Sequence, residues 1–176
     1  MTEPGALARA FGLIRQVPDF PEPGVLFRDL TPMLADPAAL RAVTDGLADA
    51  LPAGTELIAA VEARGFLLGA VVAARLGIGV VPVRKPGKLP MVADRIDYAL
   101  EYGTATLELP ADVVRPGQRV AVVDDVLATG GTVDATCQLL ERAGAEITAI
   151  AVLLELAALG GRDRLTGREI VTLHTV

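Results

Sequence analysis

The chain has 176 residues, 52% of them hydrophobic, a formal net charge of −6 at pH 7, one cysteine and no tryptophan. That length suits a single domain with a full core, and the acidic balance argues against a nucleic-acid binder, which needs a basic footprint. No apolar run reaches the roughly eighteen residues of a membrane span, Met1 to Ala10 contains no signal-peptide core, and the lone Cys137 excludes an internal disulfide and fits a reducing cytoplasm.

Ala6 to Arg15 has helical spacing, with Pro4 suited to a first turn. Val17 to Pro32 is rich in Pro, Gly and Asp and is expected to be irregular. Asp36-Pro37 supplies an N-cap and a first helical residue for a helix over Ala38 to Leu51, stopped by Pro52. Leu57 to Val61 reads as a buried strand, Phe66 to Leu76 as a helix and Val80 to Val83 as a further strand. From Arg84 to Arg95, Pro, Gly and Lys predict a mobile loop. Alternation from Ile96 to Leu109 predicts a hairpin or two short strands with a turn near Gly103. An apolar strand from Val120, a helix over Val133 to Ala143, a strand over Ile147 to Leu154, a short helical stretch near Ala157 to Arg164 and a strand over Ile170 to His174 complete the order. Repeated β-α-β units predict an α/β fold with a mostly parallel central sheet flanked by helices.

The most informative stretch is Val120 to Thr132. Its apolar run ends in Asp124-Asp125, and the small loop Ala128-Thr129-Gly130-Gly131-Thr132 leads into a helix. A loop without bulky side chains lets backbone N–H groups approach a phosphate at a helix N-terminus, where the macrodipole favours an anion. Carboxylates at a strand end stand where open α/β sheets bind ligands. Phosphate on one side and acceptors on the other point to a phosphorylated sugar. Neither G-x-x-x-x-G-K-[ST] nor a strand followed by G-x-G-x-x-G occurs, so the nucleotide loops of those types are excluded. Arg64, Arg84, Lys85 and Lys88 form a local basic group in an acidic chain, a pattern suited to a small polyanion. Cys137, inside the helix after the loop, suits packing better than nucleophilic chemistry. His174, the only histidine, lies in the last strand and is left out of the chemistry.

Val123 to Thr132 resembles the phosphoribosyl pyrophosphate (PRPP) signature of type I phosphoribosyltransferases. Pro18 to Pro21 with Gly24 to Asp29, Glu62-Ala63-Arg64-Gly65-Phe66, Arg84 to Pro90 and Leu100 to Gly103 narrow the resemblance to the adenine phosphoribosyltransferases. It covers the chain from about residue 11 to the last strand. The resemblance implies a type I phosphoribosyltransferase fold with a small N-terminal hood, about residues 1–34, and a lid at about 84–104, within one domain. It also implies conversion of adenine and PRPP to AMP and pyrophosphate in purine salvage, with Mg²⁺ bound mainly through PRPP, and a cytoplasmic homodimer with no membrane or nucleic-acid partner.

The same resemblance distributes roles. Ala128, Thr129, Gly130, Gly131 and Thr132 would wrap the 5′-phosphate, and Asp124 and Asp125 would accept hydrogen bonds from the ribose hydroxyls. Arg64, Arg84, Lys85 and Lys88 would hold pyrophosphate. Main-chain groups at Leu26 and Arg28 would read the adenine edge, with Phe27 and Leu127 on the ring faces. Glu101 would handle the imidazole proton as N9 attacks. Taken bare, Phe27 also suits a core, Glu101 an exposed strand and Arg64 a surface salt bridge. Type I relatives often carry a cis non-proline peptide in the loop of Arg64, and Val61 stands where many of them place glycine. Two alternatives are a type I transferase for hypoxanthine, guanine, xanthine or orotate, and a non-catalytic PRPP-sensing domain. Against the second stand the absence of a helix-turn-helix segment, the negative charge and Glu101.

Overall fold

The computed structural model describes residues 5–99 and 103–176, in two compact units, Met1–Gly46 and Leu47–Val176. In the first, α1 spans Ala6–Gly12. It ends before the expected Arg15 because Arg15–Pro18 form a strand, β1, paired antiparallel with β2, Leu26–Asp29. The stretch expected to be irregular therefore holds most of a hairpin, and α2, Thr31–Ala35, begins at its end. Four-residue strands among prolines show too little alternation to be read as strands. Asp19 shapes the turn between them: at φ 55° its Oδ1 accepts from the Gly24 N–H at 2.7 Å. The predicted cap of α3, Pro37–Ala50, is present, with Asp36 Oδ1 accepting from Ala38 N at 3.0 Å and Ala39 N at 2.8 Å.

The second unit is built on β3 Leu57–Val61, β4 Gly79–Val83, β7 Arg119–Leu127, β8 Glu146–Glu155 and β9 Ile170–Thr175. They form a parallel sheet in the order β4-β3-β7-β8-β9. Val120–Val123 and Ile150–Leu154 are fully buried, the continuous apolar runs of strands covered on both faces. The helices α4 Gly65–Leu76 and α5 Gly131–Arg142 flank the sheet. Gly69 lets α4 approach closely, since a Cβ there would stand 2.5 Å from Ala60 Cβ. A short 3-10 turn, Ala157–Leu159, and α6, Gly161–Arg164, precede β9.

The predicted hairpin is β5 Val92–Ala99 with β6 Thr104–Pro110. It begins earlier than the alternation suggested, because Val92 and Asp94 already pair with Pro110 and Leu109. The expected loop from Arg84 to Arg95 is correspondingly shorter. Arg142 ties the hairpin to α5 through an ion pair with Asp94 at 2.8 Å and a hydrogen bond to the Arg95 carbonyl at 3.1 Å.

The chain runs from β3 outward to β4 and returns to place β7 on the other side of β3. The gap between β3 and β7 is thus the topological switch point at which open α/β sheets bind ligands. The motif strand also runs further than its sequence suggests. β3 pairs with β7 only as far as Ala60↔Val123, whereas β8 continues to Leu127↔Glu155. Asp124 and Asp125 stand where one neighbour turns away, not where the strand itself ends.

Candidate active site

β7 delivers the two carboxylates to this crevice. Asp124 and Asp125 are 8% and 7% exposed, so both carboxyl groups are withdrawn from water. Asp124 Oδ1 accepts from the Asp125 N–H at 2.8 Å. Burial and the adjacent Asp125 charge push the Asp124 carboxyl well above the usual carboxylate range. Gly65, at the start of α4, permits the approach from the β3 side, because a Cβ there would lie 2.8 Å from Asp124 Oδ1. Next to it, Arg64 Nε lies 2.5 Å from Asp125 Oδ2, a close ion pair rather than an aligned hydrogen bond. The peptide Glu62-Ala63 in this loop is cis.

Beyond Leu127, the loop Ala128–Thr132 and the start of α5 line a small pocket shared with Asp124, Val126, Leu127 and Val133. Gly130 holds φ 79°, and the N-terminus of α5 has no side-chain cap. Its first N–H groups are therefore available to an anion, with the helix dipole behind them. The loop is braced from behind. A Cβ on Gly130 would stand 2.6 Å from the Gly161 carbonyl oxygen, and one on Gly161 would stand 2.2 Å from the Ala128 carbonyl oxygen. Only two glycines allow these backbones to lie so close. From the hairpin, Tyr98 accepts a hydrogen bond from the Thr132 hydroxyl at 3.3 Å.

Gly161 is positioned in turn by Glu155, at the end of β8. Arg162 donates to it twice, Nη2 to Oε2 at 2.7 Å and Nε to Oε1 at 3.0 Å, and the Thr172 hydroxyl donates at 3.0 Å. The guanidinium hydrogen bonds outweigh burial and hold the Glu155 carboxyl below its ordinary range. Sequence reasoning passed over this brace. The available signals were a second Gly-Gly pair at 160–161 and a carboxylate closing the strand beside the motif strand.

The basic group gathers around a second carboxylate that sequence reasoning left without a role. Glu62 takes contacts from Lys88 Nζ at Oε1, from Arg84 Nε at Oε2 at 3.3 Å and from the Lys85 N–H at Oε2 at 3.0 Å. Burial alone would raise its pKa, but Lys88, the Lys85 N–H and Arg84 together hold it below the ordinary value. Arg84 pairs its main chain with Glu108, whose side chain also accepts from the Gly87 N–H at 3.1 Å. The Arg84 guanidinium lies 5.6 Å from the centre of the Phe66 ring.

The structure thus brings together Arg64 with Asp125, and Arg84, Lys85 and Lys88 with one another. Leu127 is fully buried in the core and also lines the loop pocket. Leu26, Phe27 and Arg28 lie on β2 in the first unit, where the Phe27 ring meets Phe20 edge-on at 5.1 Å. Glu101 lies outside the described residues. Cys137 is fully buried, and burial pushes its thiol up to about 12, which makes it an inert packing group. Among the described residues no helix is long and apolar enough to cross a membrane.

Comparison with known proteins places this geometry. The phosphoribosyl transferase domain model matches residues 33–171. The adenine phosphoribosyltransferase of Saccharopolyspora erythraea is 60% identical over 170 residues, covering 97% of this chain and 91% of its own. The crystal structure of the enzyme of that name from Thermoanaerobacter pseudethanolicus superposes with a TM-score of 0.93 at 49% identity, covering 97% of this chain and 99% of its own. The one from Saccharomyces cerevisiae, crystallised with an imino-altritol bisphosphate and adenine, gives 0.91 at 34%, again over 97% and 99%. A carboxylate pair beside an uncapped, glycine-lined helix N-terminus is therefore set in a chain that belongs to the adenine phosphoribosyltransferase family.

Proposed function

We infer that this chain transfers the phosphoribosyl group of PRPP to N9 of adenine, giving AMP and pyrophosphate, a purine salvage step. The observation that carries the donor half is the end of β7 beside the gap between β3 and β7, where Asp124 lines one pocket with the loop Ala128–Thr132 and the uncapped start of α5, and Asp125 is its neighbour. A 5′-phosphate fits the loop Ala128–Thr132, and ribose hydroxyls need acceptors such as the two carboxylates. As the C1′–O bond to pyrophosphate breaks, positive charge spreads over the ribose ring, and fixed carboxylates stabilise it without reorganising. N9 supplies the new bond's electron pair, and pyrophosphate leaves with the old one.

Arg84, Lys85 and Lys88 are assigned to the leaving pyrophosphate, with Arg64 alongside. Adenine is assigned to the main chain of Leu26 and Arg28 and to the side chains of Phe27 and Leu127, and the base proton to Glu101. The first 34 or so residues act as a hood and the segment that starts at Arg84 as a lid, within one functional domain. The adenine choice rests on the family and on these residues, and polarity is its basis: a site that pairs with an amino group leaves a buried group unpaired when offered a carbonyl.

Among the described residues no group of three or more carboxylate, histidine or cysteine side chains is arranged to hold a metal. The donors present, two adjacent carboxylates with one committed to Arg64, fit a Mg²⁺ that arrives on the oxygens of PRPP. When bound, it would neutralise charge on the departing pyrophosphate. A homodimer in the cytoplasm completes the proposal. Purified protein given PRPP, Mg²⁺ and adenine should form AMP and pyrophosphate in equal amounts. Pyrophosphate released with ribose 5-phosphate and no AMP would contradict it.

A further inference from the structure

The three pyrophosphate-assigned residues in the segment after β4 all meet one carboxylate. Glu62 accepts from the Lys85 main chain and pairs with the side chains of Arg84 and Lys88. Its own side chain is only 7% exposed, whereas those of Arg84 and Lys88 are 31% and 45% exposed, so the cations face solvent and the anion sits behind them. The position is fixed from both sides. The Glu62 N–H donates to the Val83 carbonyl at 3.1 Å, tying the end of β3 to the end of β4, and Glu108 holds the Gly87 N–H from the β6 side. An incoming polyanion meets cations whose charge is already partly neutralised.

We propose that Glu62 is a built-in competitor: it holds Arg84 and Lys88 in place in the free protein and lowers the affinity of the site for pyrophosphate, which speeds release of that product. The proposal rests on the assignment of Arg84, Lys85 and Lys88 to pyrophosphate. A buried carboxylate that touches three members of an anion site would otherwise only weaken it. Its benefit is kinetic, because product release limits many enzymes whose chemistry is fast, and a site with unopposed cations would retain a small polyanion.

The test is binding of inorganic pyrophosphate to the full-length protein at fixed Mg²⁺, by calorimetry. Glu62→Gln keeps an acceptor for the Lys85 N–H and removes the charge. It should tighten pyrophosphate binding about tenfold, the order expected for one unit charge beside a partly exposed anion site. Glu62→Asp withdraws the charge from both cations by one methylene and should tighten binding less. Should the Gln variant not fold, the Asp variant carries the test alone. Damage to the loop weakens binding, so tightening is not a result that mere structural loss produces. Binding unchanged or weakened in the folded variants overturns the competition, provided that Lys88→Ala weakens it in the native background. Lys88→Ala without effect would instead remove the pyrophosphate assignment, and the competition with it.

Discussion

Arg64 Nε lies 2.5 Å from Asp125 Oδ2, joining the loop after β3 to the carboxylate pair on β7 across the crevice where the ligand is expected. The two side chains are 39% and 10% exposed, so the cation is the solvent-facing partner and the anion the sheltered one. A guanidinium expected to hold substrate thus also sets the position of a carboxylate that should meet the ribose.

Asp125→Asn keeps the shape and removes the charge. Turnover should fall about 100-fold or more, the size of losing one preorganised electrostatic contact, with little change in melting temperature. Arg64→Ala should also lower turnover, and the double variant should lose less than the two single losses combined, because the residues act as a unit. Initial rates for the four proteins check this. Strict additivity would show that the ion pair has no part in catalysis.

Asp124 carries the opposite stability argument. Its carboxyl is raised by burial and by the Asp125 charge, so the folded state holds its proton more tightly than the unfolded chain does. The associated stability is present below the unfolded value of about 3.9 and is lost as pH rises through the raised folded value. At pH 7 the native protein bears a cost at this carboxyl that the unfolded chain does not. Asp124→Asn should therefore raise the melting temperature at neutral pH while lowering turnover, and each gained kcal/mol would appear as about 2–4 °C in a chain of this size. The difference from the native protein should vanish below about pH 4. Thermal melts of both proteins from pH 3 to 8 measure it; an Asn variant less stable than the native protein at pH 7 would contradict the argument.

Gly161 should be as intolerant of substitution as the signature loop it braces. Its added Cβ would meet the Ala128 carbonyl oxygen, so Gly161→Ala must displace backbone at the pocket lined by Ala128–Thr132. We expect a stability loss of about 1–3 kcal/mol, typical of overpacking, and a raised KM for PRPP with a smaller change in that for adenine. Gly167→Ala, where φ is 84° and nothing lies within 4 Å, is the control: strained by its backbone but distant from the loop, it should leave KM unchanged.

How much of this was legible in sequence follows from which interactions are local. The β-α-β order, the Asp36 cap and the loop Ala128–Thr132 are encoded within a few residues and were readable. Strand β2 and the start of β5 depend on pairing with β1 and β6, which supplies order that proline-rich stretches do not advertise. The contacts made by Glu62 join residues more than twenty apart, and the Gly130–Gly161 approach joins two glycine pairs thirty apart. Neither leaves a periodic trace. The register by which β8 carries β7 past Asp124 is likewise visible only once the sheet is assembled.

Glu101→Gln preserves the size of the side chain and removes its basicity. With the base proton assigned to Glu101, kcat should fall about 10²–10⁴-fold, the usual contribution of general acid–base catalysis, with PRPP affinity nearly intact. Steady-state kinetics beside PRPP binding separate the two. An equal fall in PRPP affinity would reassign Glu101 to holding the substrate.

The most direct test of the central claim is a competition of bases in one PRPP-dependent assay, with adenine, hypoxanthine and guanine at equal concentration and the nucleotides separated and counted. AMP should be nearly the sole product, with kcat/KM for adenine above that for hypoxanthine by about 10⁴-fold, as a site built on hydrogen-bond polarity permits. IMP or GMP as the main product would contradict it, and so would the absence of any nucleotide from protein that binds PRPP.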